Sequence, residues 1–143
     1  HTGRLLKSFF HVVKEYLEKN SFNYNLSEFI PPLVKSFGRL QQVTSFIASK
    51  GLNNPDEAAG PATDYLKMFS LVAIGYVWTQ YAEISFNKQN DDPEGFYKAK
   101  IASGKYYMLK ILPETGSIMS SILSGANYYN DFDDEYFDSG FIL

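Results

Sequence analysis

The chain has 143 residues, the size of one compact domain, and contains no cysteine. The absence of thiols excludes disulfide frameworks, cysteine nucleophiles and thiolate metal sites. It is compatible with a reducing compartment, so we expect a cytoplasmic protein. At 45% hydrophobic and 17% aromatic residues, the composition excludes a disordered segment, and we predict a single folded domain over residues 1–143.

Charge is unevenly distributed along the chain, whose net charge is −3. All 13 Lys and Arg lie before residue 111, whereas six of the 16 acids follow it. Because no strongly basic surface is indicated, we expect no nucleic-acid partner. The longest apolar run, Met68–Trp78, is far too short to span a bilayer, so we expect no transmembrane segment.

The first two predicted helices have apolar residues every three or four positions. This spacing predicts an amphipathic helix over Leu5–Leu17. A turn-like stretch at residues 20–25 then leads to a second helix. This helix should begin near Ile30, because Pro31 and Pro32 are tolerated only in the first turn of a helix. It should end before Gly51.

The third predicted helix is apolar on nearly every side. The capping box Asn54–Glu57 predicts the start of a helical turn. We expect Gly60–Pro61 to interrupt or kink this turn. Thr63–Asp64 can then cap the helix again, and the helix should end near Asn87. Because a helix that is apolar all round is normally buried all round, neighbours should surround it. A four-helix monomer leaves one side uncovered, so we expect a homodimer through residues 65–81.

The fourth predicted helix follows the cap-then-proline sequence Asn90–Glu94, with Glu94 and Lys98 as an ion pair. Helical spacing continues past Pro113, which predicts a kink there and an end at Gly125. Aromatic side chains of the acidic tail, residues 127–143, should pack onto the helices. The predicted fold is all-α, an antiparallel four-helix bundle with a kinked last helix and a short aromatic and acidic C-terminal tail.

Histidine and metal chemistry find little support in the sequence. Only His1 and His11 are present, and we interpret His11 as an ordinary surface residue. The acidic run from Asp131 to Asp138 resembles the beginning of a calcium loop. It lacks the required glycine, since Tyr136 stands there, and the bidentate glutamate, since Ile142 stands there. A solvated acidic edge is therefore favoured.

Two acids and two aromatic groups could serve a site. Glu83 and Glu114 lie in apolar stretches and could be buried acids with a raised pKa, but a structural role is favoured for both. Tyr106–Tyr107 and Trp78 with Tyr81 could line a slot for a ring, but aromatics at helical spacing more often form a core. We assign no catalytic, cofactor-binding or metal-binding residue.

Three ordered blocks carry a resemblance to a known family. They are residues 62–78 (ATDYLKMFSLVAIGYVW), residues 96–100 (FYKAK) and residues 112–115 (LPET). Their order and spacing are similar to those of the extra C-terminal helical domain of an acyl-CoA dehydrogenase branch, the one that resembles 3-methylmercaptopropionyl-CoA dehydrogenase. With the first two helices, the resemblance covers nearly the whole chain.

The resemblance implies that this chain is the C-terminal piece of a larger flavoenzyme. The parent would oxidise an acyl-CoA to a 2-enoyl-CoA in fatty-acid or related thioester catabolism, with FAD as hydride acceptor and a Glu base. It would pass electrons to an electron-transferring flavoprotein. The appended domain would pack on the remainder of the dehydrogenase chain and help to hold its dimer. No residue here matches the catalytic-base motif, so the fragment itself is expected to be noncatalytic, with no cofactor of its own.

Two other classes of function remain open. The chain could be a free-standing helical module whose aromatic residues form a pocket for an apolar or acyl ligand. An open cavity between the third and fourth helices, in place of interdigitated Phe69, Tyr76 and Tyr106, would favour that function. The chain could also be an adaptor that offers a helix groove to a protein partner.

Overall fold

The computed structural model describes residues 2–50 and 55–131, with side chains for residues 3–50 and 61–124. Its helices are α1 (Thr2–Lys19), α2 (Ile30–Lys50), α3 (Pro55–Lys88), α4 (Phe96–Tyr106) and α5 (Glu114–Asp131). A π-helical turn, Tyr107–Ile111, joins α4 to α5, so that these two form one long helix with a bend of 29°. The predicted all-α fold, four helices with a kinked last one, is confirmed.

The core lies where α2, α3 and the bent α4–α5 helix meet. Fully buried side chains come from the inner faces of these helices, from α1 and from the α1–α2 connection, and include Val13, Phe29, Leu33, Leu40, Met68, Val72, Met108 and Leu112. In α2 the buried positions recur every three or four residues, as the sequence predicts. The prediction that α2 begins at Ile30 with both prolines in its first turn is also confirmed.

Helix α1 packs through a layer of aromatic rings. Phe9 lies 4.8 Å from Phe69 between ring centroids, and Tyr16 lies 5.3 Å from Tyr76. Because residues of α1 meet residues of α3 in the same chain order, the two helices run parallel. Phe69 and Tyr76 therefore interdigitate with α1, and not with Tyr106 of α4, which is exposed.

The predicted break with a new cap at Thr63–Asp64 and the predicted end at Gly125 are wrong. Helix α3 runs continuously through Pro61, which removes one backbone hydrogen bond but does not end a helix whose following turns are packed. Helix α5 continues past Gly125 to Asp131, because the intrinsic cost of one helical glycine, about 1 kcal/mol, is too small to end it. The expected caps at Gly51 and Asn54, and the tail from residue 132, lie outside the described residues.

The start of α4 differs from the prediction. Gly95 adopts a left-handed conformation, with φ of 77°, and the helix begins only at Phe96. The Asp92 carboxylate accepts a hydrogen bond from the backbone N–H of Tyr97 in the first turn. Glu94 therefore precedes the helix, and the expected helical pair with Lys98 does not form.

Candidate functional site

The main unexplained surface is an apolar stripe along the outward side of α3. Its members, which we call the outer stripe, are large apolar side chains with 40% to 66% of their surface exposed, namely Leu66, Ile74, Val77, Tyr81 and Ile84. With Ser70 they are spaced three or four residues apart, so they lie on one side of the helix. A single chain leaves this side of α3 uncovered, as expected for a four-helix monomer, and its cover by a second copy stays a prediction.

Helix α4 extends the apolar surface beside the outer stripe. Phe96 and Tyr106 of α4, and Leu109 of the π-helical turn that follows it, are more than half exposed. Between α3 and α4 lies an open groove of about 530 Å³, lined by Trp78, Ala102, Ser103, Tyr106, Tyr107 and Ile111. Trp78 and Tyr106–Tyr107 therefore line one surface groove, which is the alternative that the sequence did not favour, and Tyr81 is not among its lining residues. The favoured core position holds for Tyr107, which is buried.

Lys100 lies among three aromatic rings, one of which, Trp78, also lines the groove. Its Nζ is 5.6 Å from the ring centroid of Trp78, 5.1 Å from that of Tyr81 and 5.7 Å from that of Phe96. These distances are within the range of cation–π attraction. Trp78 and Tyr81 also pack edge to face at 6.2 Å. The shared lysine joins Tyr81 of the outer stripe to Phe96 of α4. We call the outer stripe together with Phe96, Tyr106 and Leu109 the outer face.

The size of the outer face is that of a protein interface. Its eight exposed side chains, five from the outer stripe, two from α4 and one from the π-helical turn, together offer on the order of 800 Å², the area that one partner contributes to a standard interface. Patches of this size exceed what monomeric proteins usually expose. No carboxylate belongs to it, and the depletion of acids is typical of interface centres.

Tyr107 lines the groove and holds the π-helical turn against α3. Its hydroxyl donates a hydrogen bond to the Leu71 carbonyl oxygen at 2.6 Å. Burial, aided by the Glu114 charge, raises the pKa of Tyr107 to about 12.

This raised pKa predicts a loss of stability at high pH. Because the Tyr107 pKa is about 12 in the folded chain and 10.0 when unfolded, the neutral phenol stabilises the fold fully below pH 10.0. That stability is lost as the pH rises towards 12, because the unfolded chain then binds fewer protons. Urea unfolding midpoints measured between these pH values should fall, and Tyr107→Phe should make the fall shallower. Equal slopes in the two proteins would contradict the assignment.

The acids considered as catalytic candidates have structural partners. The Glu83 carboxylate accepts a hydrogen bond from the Tyr16 hydroxyl at 2.8 Å, which joins α1 to α3. Burial and this carboxylate both raise the Tyr16 pKa. Glu114 pairs with Lys67 at 2.7 Å between carboxylate and ammonium. Both contacts connect helices, which is the structural role favoured for these acids.

The remaining candidates do not form a site in the described part of the chain. His11 is on the surface, as predicted, with Nε2 3.0 Å from a carboxylate oxygen of Glu15. Over residues 2–50 and 55–131, no group of three His, Asp or Glu is arranged to hold a metal ion. The side chains of the acidic run from Asp131 to Asp138 lie outside the described set.

Sequence reasoning did not find the contribution of α4 or the lysine among the rings. Phe96 and Lys100 are four residues apart on one helix, a spacing that brings a cation over a ring and was available as a signal. It also did not find Phe22 and Tyr24, almost fully exposed on the α1–α2 connection. None of the helices described here combines the length and apolarity needed for a membrane crossing.

Comparison with known proteins identifies one related family. The sequence model of the family described as acetyl-CoA dehydrogenase C-terminal like matches residues 9–133, most of the chain. The match includes α2, α3 and α4 and the whole outer face. No curated protein sequence matches the chain.

Proposed function

The chain belongs to the acetyl-CoA dehydrogenase C-terminal-like family, and on that premise we propose that it is the structural and dimerisation domain of an FAD-dependent acyl-CoA dehydrogenase. The observation that carries the dimerisation role is the outer face, an apolar surface of interface size in a chain without an assigned catalytic group. A second copy of the chain covers the outer stripe at residues 65–81 and the adjoining part of Ile84.

The parent reaction is part of the same proposal. The resemblance of residues 62–78, 96–100 and 112–115 to one dehydrogenase branch supports a 3-methylmercaptopropionyl-CoA-like parent. That parent oxidises an acyl-CoA thioester to the 2-enoyl-CoA in the cytoplasm, as part of fatty-acid or related catabolism, and passes electrons to an electron-transferring flavoprotein. FAD supplies the hydride-accepting ring when bound to the remainder of the enzyme.

The described residues do not fit FAD. A dinucleotide of this kind needs an apolar wall for its ring system together with several donors for its pyrophosphate. The groove between α3 and α4 has aromatic walls but a single cation near it, Lys100. A second surface hollow on α1 has cations, Arg4 and Lys7, but no aromatic wall. We therefore place FAD in other domains of the parent and derive no step through it here.

The proposal predicts that FAD binding and turnover belong to other domains of the parent, whereas this chain stabilises the dimer. The purified chain should show no stoichiometric FAD binding by flavin fluorescence and no turnover of octanoyl-CoA. The natural reading frame upstream of His1 should encode flavin-enzyme domains, and the complete enzyme should oxidise an acyl-CoA. Removing residues 1–143 from it should leave FAD bound and weaken the dimer. Tight FAD binding by the isolated chain, or an upstream frame without such domains, would contradict the proposal.

A further inference from the structure

The groove between α3 and α4 has a composition that favours one kind of small ligand. Its walls are mostly carbon, from Trp78, Tyr106 and Tyr107, and the Ser103 hydroxyl group lies among them. A slot with aromatic walls and few polar groups takes an apolar body, and the few polar groups select its polar end.

The polar end is selected by Lys100. Lys100 is not itself a lining residue, but its Nζ lies 5.6 Å from the ring centroid of Trp78, which forms a wall of the groove. Across residues 3–50 and 61–124, no carboxylate pairs with Lys100, and its contacts there are with aromatic rings. Ser103 is one helical turn away from Lys100 and so faces the same side.

We propose that this groove binds a small amphipathic carboxylate, with its apolar body between Trp78 and Tyr106 and its carboxylate at Lys100 and Ser103. Charge complementarity favours a carboxylate as the polar end of the ligand. Lys100, near the groove, has no carboxylate partner among the described side chains, and no acid lines the groove. An amphipathic cation of the same shape would meet the ammonium and be repelled. The inference concerns the chain itself and does not rest on the dehydrogenase assignment.

The single tryptophan of the chain makes the test direct, because Trp78 lies in the groove. Sodium decanoate, kept below its micelle concentration, should shift the tryptophan emission saturably. Decyltrimethylammonium, with the same chain length and opposite charge, should not. Lys100→Gln should weaken decanoate binding about threefold to tenfold, the range for one partly screened ion pair, and Lys100→Arg should retain it.

Two further variants control for charge and shape. Lys98→Gln removes an equal charge two residues away at an exposed position and should leave decanoate binding unchanged. Tyr106→Ser removes one wall at an exposed position and should weaken binding without unfolding the chain. Equal binding by Lys100→Gln and the unaltered chain, or equal binding of the two probes, would overturn the proposal. So would an emission shift that depends on protein concentration and not on decanoate, because a second copy would then fill the groove.

Discussion

Replacing Gly104 with alanine is expected to lower the free energy of unfolding by about 2 kcal/mol, within the range for overpacking a core. A Cβ atom at this position would lie 2.8 Å from Cε1 of Phe29 and 3.3 Å from Cε3 of Trp78. Phe29 is completely buried and so has no free space into which to move. Glycine therefore permits the close approach of α4 to the Phe29 ring, and urea unfolding monitored by circular dichroism measures the loss.

The same substitution at Gly38 is the matched control. Gly38 is an exposed helical position in α2, and an added Cβ would meet nothing within 4 Å. Alanine there should raise the free energy of unfolding by roughly 0.5–1 kcal/mol, because it reduces the entropy of the unfolded chain and favours the helix. Opposite signs at the two glycines are expected. A Gly104→Ala variant at least as stable as Gly38→Ala would contradict the packing described here.

Much of the helical framework could be predicted from residue spacing. The α2 seam and the kink in the last helix depend on local features, apolar periodicity and proline, that act within one or two turns. Local signals were also where the prediction failed. Pro61 and Gly125 weaken a helix locally, whereas tertiary contacts of the rest of the helix decide whether it continues.

The surface was harder to predict than the core, because the role of an exposed side chain depends on which helices are neighbours. The sequence indicated that α3 is apolar all round, which correctly pointed to an unusual helix. It did not indicate that Phe69 and Tyr76 face α1, and it favoured a core position for Trp78 and Tyr106, which line a surface groove together. These are pairings between residues far apart in the chain, and spacing within one helix carries no information about them.

Placing lysine at Ile74 and Tyr81 together should weaken self-association of the chain at least about a hundredfold, because each substitution buries a charge at the centre of an interface. Both side chains are nearly half exposed in a single chain, so the fold should be retained. Sedimentation velocity over a range of concentrations measures the change.

Two exposed apolar residues on α1 provide the control for that experiment. Leu5 and Val12 are at least as exposed as Ile74 and lie on the outer side of a different helix. Leu5→Lys with Val12→Lys adds the same two charges and should leave self-association unchanged. Equal weakening by both pairs of substitutions would show that net charge, and not the outer face, governs the association.

The most direct test of the account is the mass of the unaltered chain in solution. One chain has a mass of 16.3 kDa, and sedimentation equilibrium should approach twice that value as the protein concentration rises. Cover of the outer stripe by a second copy predicts this result, together with loss of solvent accessibility at Tyr81. A mass of 16.3 kDa at every concentration, with the outer stripe still open to solvent, would contradict the dimerisation role.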